Sequence, residues 1–475
     1  MRTMPNRLPT TASIERVNPM NMKLPALTLA LSVLSGCSFI PTLERPEAPV
    51  PASFPGQATG MTAGAAMPGW ESVVADARLR ELVALALQNN RDLRVAALNL
   101  EQVRAQYDIR RADQLPTLNL AATGNRQPTS GGGISSTYTA GVAMASWEID
   151  FFGRVAALKE AALAQFLASE EARRAAQTSL VAAVANGWLT LQADEELLAL
   201  TRRTLTTREE SLRLTRLRFD NGAASALDLR QAESLAAAAR GTLAQLQRAR
   251  AQDLNALTLL VGQTPPAGLL PAGGSDAGVQ ALGAVPEGLP SDLLVRRADI
   301  RQAEQALVAA NASIGAARAA FFPRISLTAS VGTVSNELAG LFKDGSWGFS
   351  VAPQALLPIF DAGRNQANLD AAKVGREIAV AQYEKAIQTA FREVADALAG
   401  RATLGVQLAA LQSQADADAE RLRLTELRYR SGVASSLELL DAQRSLFATQ
   451  QSLTQVRLAQ QQNQVALYKA LGGGY

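Results

Sequence analysis

Two segments of this chain are near copies of each other, and both sit between long stretches without proline. LRFDNGAASALDLRQAE runs from Leu217 to Glu233, and LRYRSGVASSLELLDAQ runs from Leu427 to Gln443. Their central glycines, Gly222 and Gly432, lie 432 − 222 = 210 residues apart. No proline occurs between Pro128 and Pro265, and none after Pro358. Stretches rich in Ala, Leu, Glu, Arg and Gln with no proline propagate as helix. A glycine that takes positive φ then ends the helix and turns the chain back. The duplicated motif therefore predicts two long αα-hairpins with Gly222 and Gly432 at their tips. From Val155 to Phe219 the first ascending helix would reach ~100 Å at about 1.5 Å per residue. Its apolar residues Leu180, Val184, Trp188, Leu191, Leu198, Leu205, Leu212 and Leu217 keep the near-heptad spacing that coiled-coil packing requires.

The duplication extends well beyond the turn. Arg91–Leu120 aligns with Ala298–Leu327, matching Asp92 with Asp299, Arg94 with Arg301 and Pro116 with Pro323, an offset of 323 − 116 = 207. Gly153-Arg154 matches Gly363-Arg364 at the offset of the turn glycines, 363 − 153 = 210, so loops between absorb the difference. Two structural repeats are expected, 70–262 and 291–475, joined by an irregular connector, 263–290. Each opens with a helical pattern, in the first repeat Leu82, Leu85, Leu93, Ala97, Leu100 and Val103, running up to Pro116. Two alternating stretches follow. Leu118, Leu120 and Ala122 share one face in the first repeat, with TYTAGVAMASWEI after a turn-rich break; the second has Ile325, Leu327, Ala329 and Val331, then Trp347, Phe349 and Val351. This places strands at about 117–149 and 324–357, and helical hairpins at about 153–261 and 363–471. A small water-soluble β-meander would carry the same alternation, so the strands alone leave two settings open.

Composition removes most chemistry. Net charge is +3 with 19% charged residues and no basic patch with interleaved aromatics, which implies no strong electrostatic attraction to nucleic acid. Histidine is absent and cysteine occurs once, which excludes His-based triads, most metal-ligand sets and any intrachain disulfide. No cofactor is expected, and no site is marked for catalysis by carboxylates alone. The lone cysteine ends MNMKLPALTLALSVLSGC, in which Lys23, an apolar run from Leu24 to Leu34 and Ser35-Gly36 make a secretory signal. Translation then starts at Met1, Met20 or Met22. LSGC resembles the bacterial lipobox, in which cleavage leaves the cysteine lipid-modified. The expectation is a signal peptide over 1–36 and a lipidated, Pro/Ala/Gly-rich tether over 37–69 beginning at Cys37, with Ser38 (not Asp) directing it to the outer membrane. After residue 37 no window of eighteen apolar residues occurs, so no transmembrane helix is expected.

Four strands cannot close a barrel, and an open sheet edge in lipid leaves backbone groups unpaired at several kcal/mol each. Small membrane barrels have at least eight strands. Strands that enter a membrane here must be pooled by several chains, and long Ala-rich hairpins likewise need lateral neighbours. A ring of protomers satisfies both demands. Beside this stand the motifs LSGCSF, WEIDFFGR (Trp147–Arg154), RRADIRQAEQAL (Arg296–Leu307), PIFDAGR (Pro358–Arg364), RYRSGVASSLELLDAQRSLF (Arg428–Phe447) and LYKALGGGY. Together, over residues 30–475, they resemble the outer-membrane efflux proteins of the TolC superfamily, more narrowly the lipoprotein OprM/NodT-like branch that serves tripartite RND-type pumps. The resemblance implies a mainly α fold with a membrane β-barrel part. Three chains form a twelve-stranded barrel in the outer membrane of a Gram-negative bacterium and an α-helical barrel in the periplasm. It implies as partners outer-membrane lipid, a periplasmic adaptor (a membrane fusion protein) and an inner-membrane RND-type pump, and a passive conduit that is not an enzyme.

The resemblance also assigns residues. Glu438 and Asp441, six and nine residues after Gly432, match the acidic positions that ring the periplasmic constriction; Asp228 and Gln231 stand at the equivalent places after Gly222. On a helix such an i, i+3 pair shares a face, although acids are also favoured at any helix start. Ala434 occupies the place of an arginine that links neighbours in one related pattern. Gly222, Ser225, Gly432 and Ser435 belong to the tips that dock the adaptor. Trp147, Trp347 and Phe349 suit a membrane aromatic belt or a β-core, Trp188 suits packing, and Asp150 and Asp361 suit caps before their Gly-Arg pairs. A periplasmic coiled-coil scaffold lipoprotein without channel activity is the alternative, and alternating strands with aromatic ends speak against it.

Overall fold

The computed structural model describes residues 38–51, 53–54, 69–272, 283, 294 and 297–473. The signal peptide, Cys37 and most of the connector lie outside the described residues. The first repeat contains helices α1 (Trp70–Val73), α2 (Ala77–Asn89) and α3 (Arg91–Ala112), strands β1 (Leu118–Pro128) and β2 (Ile134–Glu148), and helices α4 (Arg154–Asp220) and α5 (Ala226–Val261). The second contains α6 (Ala298–Ala319), β3 (Arg324–Ser335), β4 (Trp347–Leu356), α7 (Arg364–Arg430) and α8 (Ser436–Ala470). Duplication shows in the lengths: α3 and α6 have 22 residues each, α4 and α7 have 67 each, and α5 and α8 have 36 and 35.

The opening helical pattern of the first repeat is two helices, not one. Asn90 leaves the helix at ψ 131°, its side-chain oxygen accepts from Leu93 N at 2.8 Å, and its amide donates to Leu260 O at 2.8 Å. An asparagine that both caps the next helix and ties back to α5 outweighs the propensity of its neighbours. α3 then stops at Ala112, short of Pro116, in a tight turn closed by Leu115 N to Ala112 O at 2.9 Å.

The described residues divide into two compact units, one drawn from 38–41, 110–159 and 312–372, the other from the described parts of 42–109, 160–311 and 373–473. The first holds one antiparallel sheet in the order β1-β2-β3-β4. Its register puts like with like. Leu118 faces Met144, Leu120 faces Val142 and Ala122 faces Ala140; Val142 faces Val331, which faces Phe349, and Ala329 faces Val351. Since partners share a face, one side carries an apolar band across all four strands, with Tyr138 and Trp347 near one end and Trp147 at the other; Thr333, Ser335, Ser136 and Arg126 lie on the same face toward the β1–β2 turn. The opposite side carries Asn119, Thr123, Gln127, Thr137, Thr139, Thr328, Ser330, Ser350 and Gln354. A β-bulge between Met144 and Trp147 turns Trp147 onto the apolar side and Glu148 onto the polar one. Only three charged residues fall in the strands, Arg126, Glu148 and Arg324, all close to strand ends.

Among the described residues, neither side of this sheet has a core against it. Leu120 is 88% exposed, Phe349 73% and Trp347 68%. On the polar side a row of small residues, Ala121, Gly141, Gly332 and Gly348, crosses all four strands. An added Cβ on Gly141 would lie 2.2 Å from Val331 O, and one on Gly332 would lie 2.2 Å from Ala140 O, so the backbones of β2 and β3 close up on this side. Glycine at such a line lets a sheet curl toward that face.

The second unit carries the main core. Leu79, Leu82 and Val83 of α2, Val184, Trp188 and Leu191 of α4, Leu257 and Val261 of α5, Ile300 of α6, Ile387 and Val394 of α7 and Val465 of α8 form one cluster. Trp188 is fully buried and its indole N–H donates to Leu269 O at 3.0 Å, so the side chain is part of the core. Where it is described, the segment expected as an extended tether makes side-chain contacts with the rest of the chain. In the first unit Phe39 stacks on Phe322 at 4.6 Å, and Phe322 on Phe152 at 5.0 Å. In the second, Arg45 pairs with Glu304 and Phe54, 3% exposed, stacks on Phe391 at 4.8 Å. Aromatic stacking and an ion pair thus anchor described parts of an otherwise Pro- and Ala-rich segment.

Candidate functional site at the hairpin tips

Both tips are built by the same local chemistry. Gly222 and Gly432 have φ of 72° and 78°. Gly222 N donates to Phe219 O at 2.9 Å and Ala223 N to Arg218 O at 2.7 Å; Gly432 N donates to Tyr429 O at 3.1 Å and Val433 N to Arg428 O at 2.9 Å. This pair of bonds satisfies the last carbonyls of a helix and requires a left-handed residue at the glycine. Three residues on, Ser225 and Ser435 cap the returning helices, accepting from Asp228 N at 3.1 Å and Glu438 N at 3.2 Å. Asp228 and Glu438 reach back to the backbone N–H of their serines, at 3.1 and 3.3 Å, which completes a capping box in each copy. The repeated stretch is thus a helix stop, a turn and a helix start written in consecutive residues.

The carboxylates singled out from sequence are all engaged within the chain. Asp441 sits between Arg421, at 2.7 Å, and Arg444, at 2.5 Å, and the Arg421 hydrogen bond holds its carboxyl below the usual range. Glu438, besides its capping role, lies 3.4 Å from Arg428. Asp228 also accepts from Ser436 Oγ of the other hairpin, and the hydroxyls of Ser225 and Ser436 hold its carboxyl below the usual range. Gln231 has its Oε1 buried without a partner among the described residues. Glu438 and Asp441 line an open groove of about 880 Å³ with Glu420, Arg421, Leu424, Arg428 and Leu437, whereas Asp228 and Gln231 are not among its lining residues. The two tips meet where Arg218 Nη1 donates to Tyr429 Oη at 2.6 Å and its guanidinium stacks 5.3 Å from the ring.

Sequence reasoning missed the arginines. Arg444 follows Asp441 by one helical turn. Arg421 lies 432 − 421 = 11 residues before the turn glycine and Asp441 lies 441 − 432 = 9 after it, so folding the hairpin about Gly432 brings them level. The signal was present but legible only once the turn was taken as a mirror. At the other end of the long helices, Asp150 and Asp361 act as caps: Asp150 accepts from Ala156 N at 2.7 Å, and Asp361 from Asn365 N at 2.8 Å. Glu148, on the polar side of the sheet, holds both Arg154 and Arg324 at 2.6 Å.

Among the described residues no group of His, Cys, Asp and Glu has the grouping of a metal site, and no helix is long and apolar enough to cross a membrane. Neither statement bears on a β-barrel. The outer membrane efflux protein family model matches residues 82–263 and 289–473, one match per repeat. A relative in Pseudomonas putida, a toluene efflux pump outer membrane protein, TtgC, is 48% identical over 468 residues and covers 96% of both chains. Outer membrane protein OprJ of Pseudomonas aeruginosa is 48% identical over 459 residues, 95% of each chain. Among solved structures, the open state of the MtrE outer membrane channel of Neisseria gonorrhoeae superposes with a TM-score of 0.83 at 42% identity, covering 92% of this chain and 98% of that one.

Proposed function

This chain belongs to the outer membrane efflux protein family, and from that we propose that it is the outer-membrane channel of a tripartite efflux system, a passive conduit from periplasm to exterior. One observation carries the reading. The sheet has an apolar band across all four strands bounded by aromatics on one side, a side rich in Thr, Ser, Asn and Gln on the other, and no core among the described residues against either. In water such a sheet would leave a contiguous apolar face exposed, which soluble surfaces avoid unless a partner or a membrane covers it. In a bilayer, apolar-out and polar-in is the required pattern, and strands of 10 to 15 residues suffice to cross. Both sheet edges, β1 and β4, are unpaired among the described residues. Lipid forbids such edges, so copies must join edge to edge. Three copies supply 3 × 4 = 12 strands.

The assembly is a homotrimer in the outer membrane, lipid-anchored at Cys37, with its helical hairpins pooled into a periplasmic tube. Its partners are a periplasmic adaptor, received at the tips around Gly222, Ser225, Gly432 and Ser435, and an RND-type inner-membrane pump that provides the energy. Glu438 and Asp441, with Asp228 and Gln231 of the first copy, form the periplasmic gate. Supporting this, the acidic pair lines the open groove of the second hairpin, and Asp228 bridges to the other tip. Arginine pairing makes this a gate of ion pairs rather than bare carboxylates. Reconstitution in planar bilayers tests the conduit, which requires stepwise channel currents; their absence overturns it. Glu438→Ala with Asp441→Ala is expected to raise conductance and weaken block by polyvalent cations, and unchanged currents would remove both residues from the gate. Cys37→Ser is expected to abolish incorporation of radiolabelled palmitate.

A further inference from the structure

The face of the sheet that carries the apolar band changes character along the strands. On this face β1 runs from Leu118, Leu120 and Ala122 to Gly124 and Arg126. β2 runs from Met144, Val142 and Ala140 to Tyr138 and Ser136, and β3 from Leu327, Ala329 and Val331 to Thr333 and Ser335. All three pass from apolar to polar in the same direction, toward the β1–β2 and β3–β4 loops. Along β1, Arg126 lies 126 − 122 = 4 residues beyond the last apolar side chain, ~14 Å at about 3.4 Å per residue. Of the charged residues in the strands, Glu148 and Arg324 pair with each other at 2.6 Å. Arg126 is exposed and meets no carboxylate among the described residues.

The groups around Arg126 suit a headgroup that carries both phosphate and sugar hydroxyls. The Tyr138 ring lies over Gly124, where an added Cβ would be 3.2 Å from its Cδ1 and Cε1. It thereby forms an aromatic shelf one pair below Arg126 and Ser136. Neither the Tyr138 nor the Ser136 hydroxyl has a partner among the described residues. Beyond β3 the turn Leu338–Gly340 packs on Ser335, since a Cβ on Gly340 would lie 2.6 Å from Ser335 Oγ. That loop exposes Phe342 (81%) beside Lys343. Where an apolar band ends against acyl chains, headgroups begin, and rings with polar tips sit at that level. A lone phosphate would use the guanidinium only. Free hydroxyls beside it, over an aromatic ring, add the donors, acceptors and flat surface that a sugar needs. The rival occupant is a second copy bringing Glu337 or Asp344, from the same end of the sheet, to Arg126. Such an ion pair would leave the shared apolar-to-polar zoning of three strands without a cause, which favours lipid.

We propose that this zone is a docking surface for a phosphorylated glycolipid of the outer leaflet. Arg126 holds a headgroup phosphate, the Ser136 and Tyr138 hydroxyls bind its sugar, and the apolar band receives its acyl chains. The proposal rests on the conduit reading for its direction, because it takes the loop end of the strands as the outer side. Lipid binding itself is measurable without conduction.

The test is a titration of the full-length protein in a non-ionic detergent, with bound lipid counted by native mass spectrometry. The probes are a bis-phosphorylated glucosamine-disaccharide lipid (lipid A), its dephosphorylated form and phosphatidylglycerol. The wild type should bind the bis-phosphorylated glycolipid most tightly. Arg126→Gln should weaken that binding about fivefold, the worth of one basic side chain at a charged membrane surface, and leave the dephosphorylated form unaffected. Arg126→Lys should retain most of it. Ser136→Ala with Tyr138→Phe should weaken the glycolipid and spare phosphatidylglycerol. Unchanged glycolipid binding by Arg126→Gln overturns the proposal. So does phosphatidylglycerol binding as tight as that of the glycolipid and equally sensitive to Arg126. Loss of the heat-resistant oligomer in Arg126→Gln, with lipid binding retained, would assign the guanidinium to a second copy instead. Bilayer currents without the glycolipid preference would sink this surface and keep the conduit; the preference without currents would do the reverse.

Discussion

Glycine serves opposite purposes at Gly432 and Gly141, and the two positions respond differently to the same methyl group. At Gly432 an added Cβ meets nothing within 4 Å, so Gly432→Ala costs only the left-handed backbone, about 1–2 kcal/mol. That loss should appear as faster amide hydrogen exchange confined to the tip, with assembly unchanged. At Gly141 the Cβ would lie 2.2 Å from a backbone carbonyl that no rotamer change can move. Gly141→Ala should therefore separate β2 from β3 and abolish a heat-resistant oligomer on gels, and survival of that oligomer would disprove the close approach. Legibility in the sequence divides the same way. Glycine, serine and acid at the tip lie within seven residues, Gly222 to Asp228, so helix-stop and helix-start chemistry reveals them. Gly141 gains its meaning from Gly332, 332 − 141 = 191 residues away, and no local pattern points there.

Among the elements, the long helices were legible because 67 residues without proline override every other local signal. What the sequence hid was what helices share across a seam. Asp194 of α4, 8% exposed, has one oxygen buried without a partner among the described residues, and burial, reinforced by the neighbouring Asp253 of α5, pushes its pKa up to about 7. A carboxyl whose folded pKa lies above its unfolded value binds more protons in the native state. Its stabilising contribution is complete below about pH 4 and is lost as pH rises through 7. Asp194→Asn should therefore flatten the pH dependence of thermal unfolding between about pH 4 and 7, and raise stability above it by roughly 1–3 kcal/mol. A variant that unfolds with the wild-type pH profile would remove Asp194 from that role. Heptad spacing marked α4 as a packed helix but could not show that Asp194 would meet another acid, because that depends on the register of α5 after the turn. The break at Asn90 escaped for a related reason: its second bond is to Leu260, far along the chain.

For the whole molecule, the solvent each face of the sheet meets decides whether the strands are a membrane element, and adjacent residues of one strand can ask the question. Val331 and Ser330 are neighbours in β3 at the same height, paired with Val142 and Phe349 on one side and with Ala143 and Ser350 on the other. Alternation in the sequence assigned each stretch a face separately; the register shows that all four strands turn their apolar side the same way, which no single stretch could establish. Val331→Arg places a guanidinium on the lipid side near mid-strand, at a cost of about 2–4 kcal/mol per copy. In a threefold assembly that cost is met three times, and the variant should be lost from the outer-membrane fraction and from the heat-resistant oligomer. Ser330→Arg directs the same charge to the polar side. It should assemble normally and instead shift the reversal potential of reconstituted channels toward anion preference, since three guanidinium groups then line one level of the lumen. If the two variants behaved alike, both tolerated or both excluded, the sheet would have no lipid side and the barrel would be wrong. Opposite outcomes one residue apart follow from the period of two in a strand, and only a sheet closed between lipid and water converts that period into a choice between insertion and selectivity.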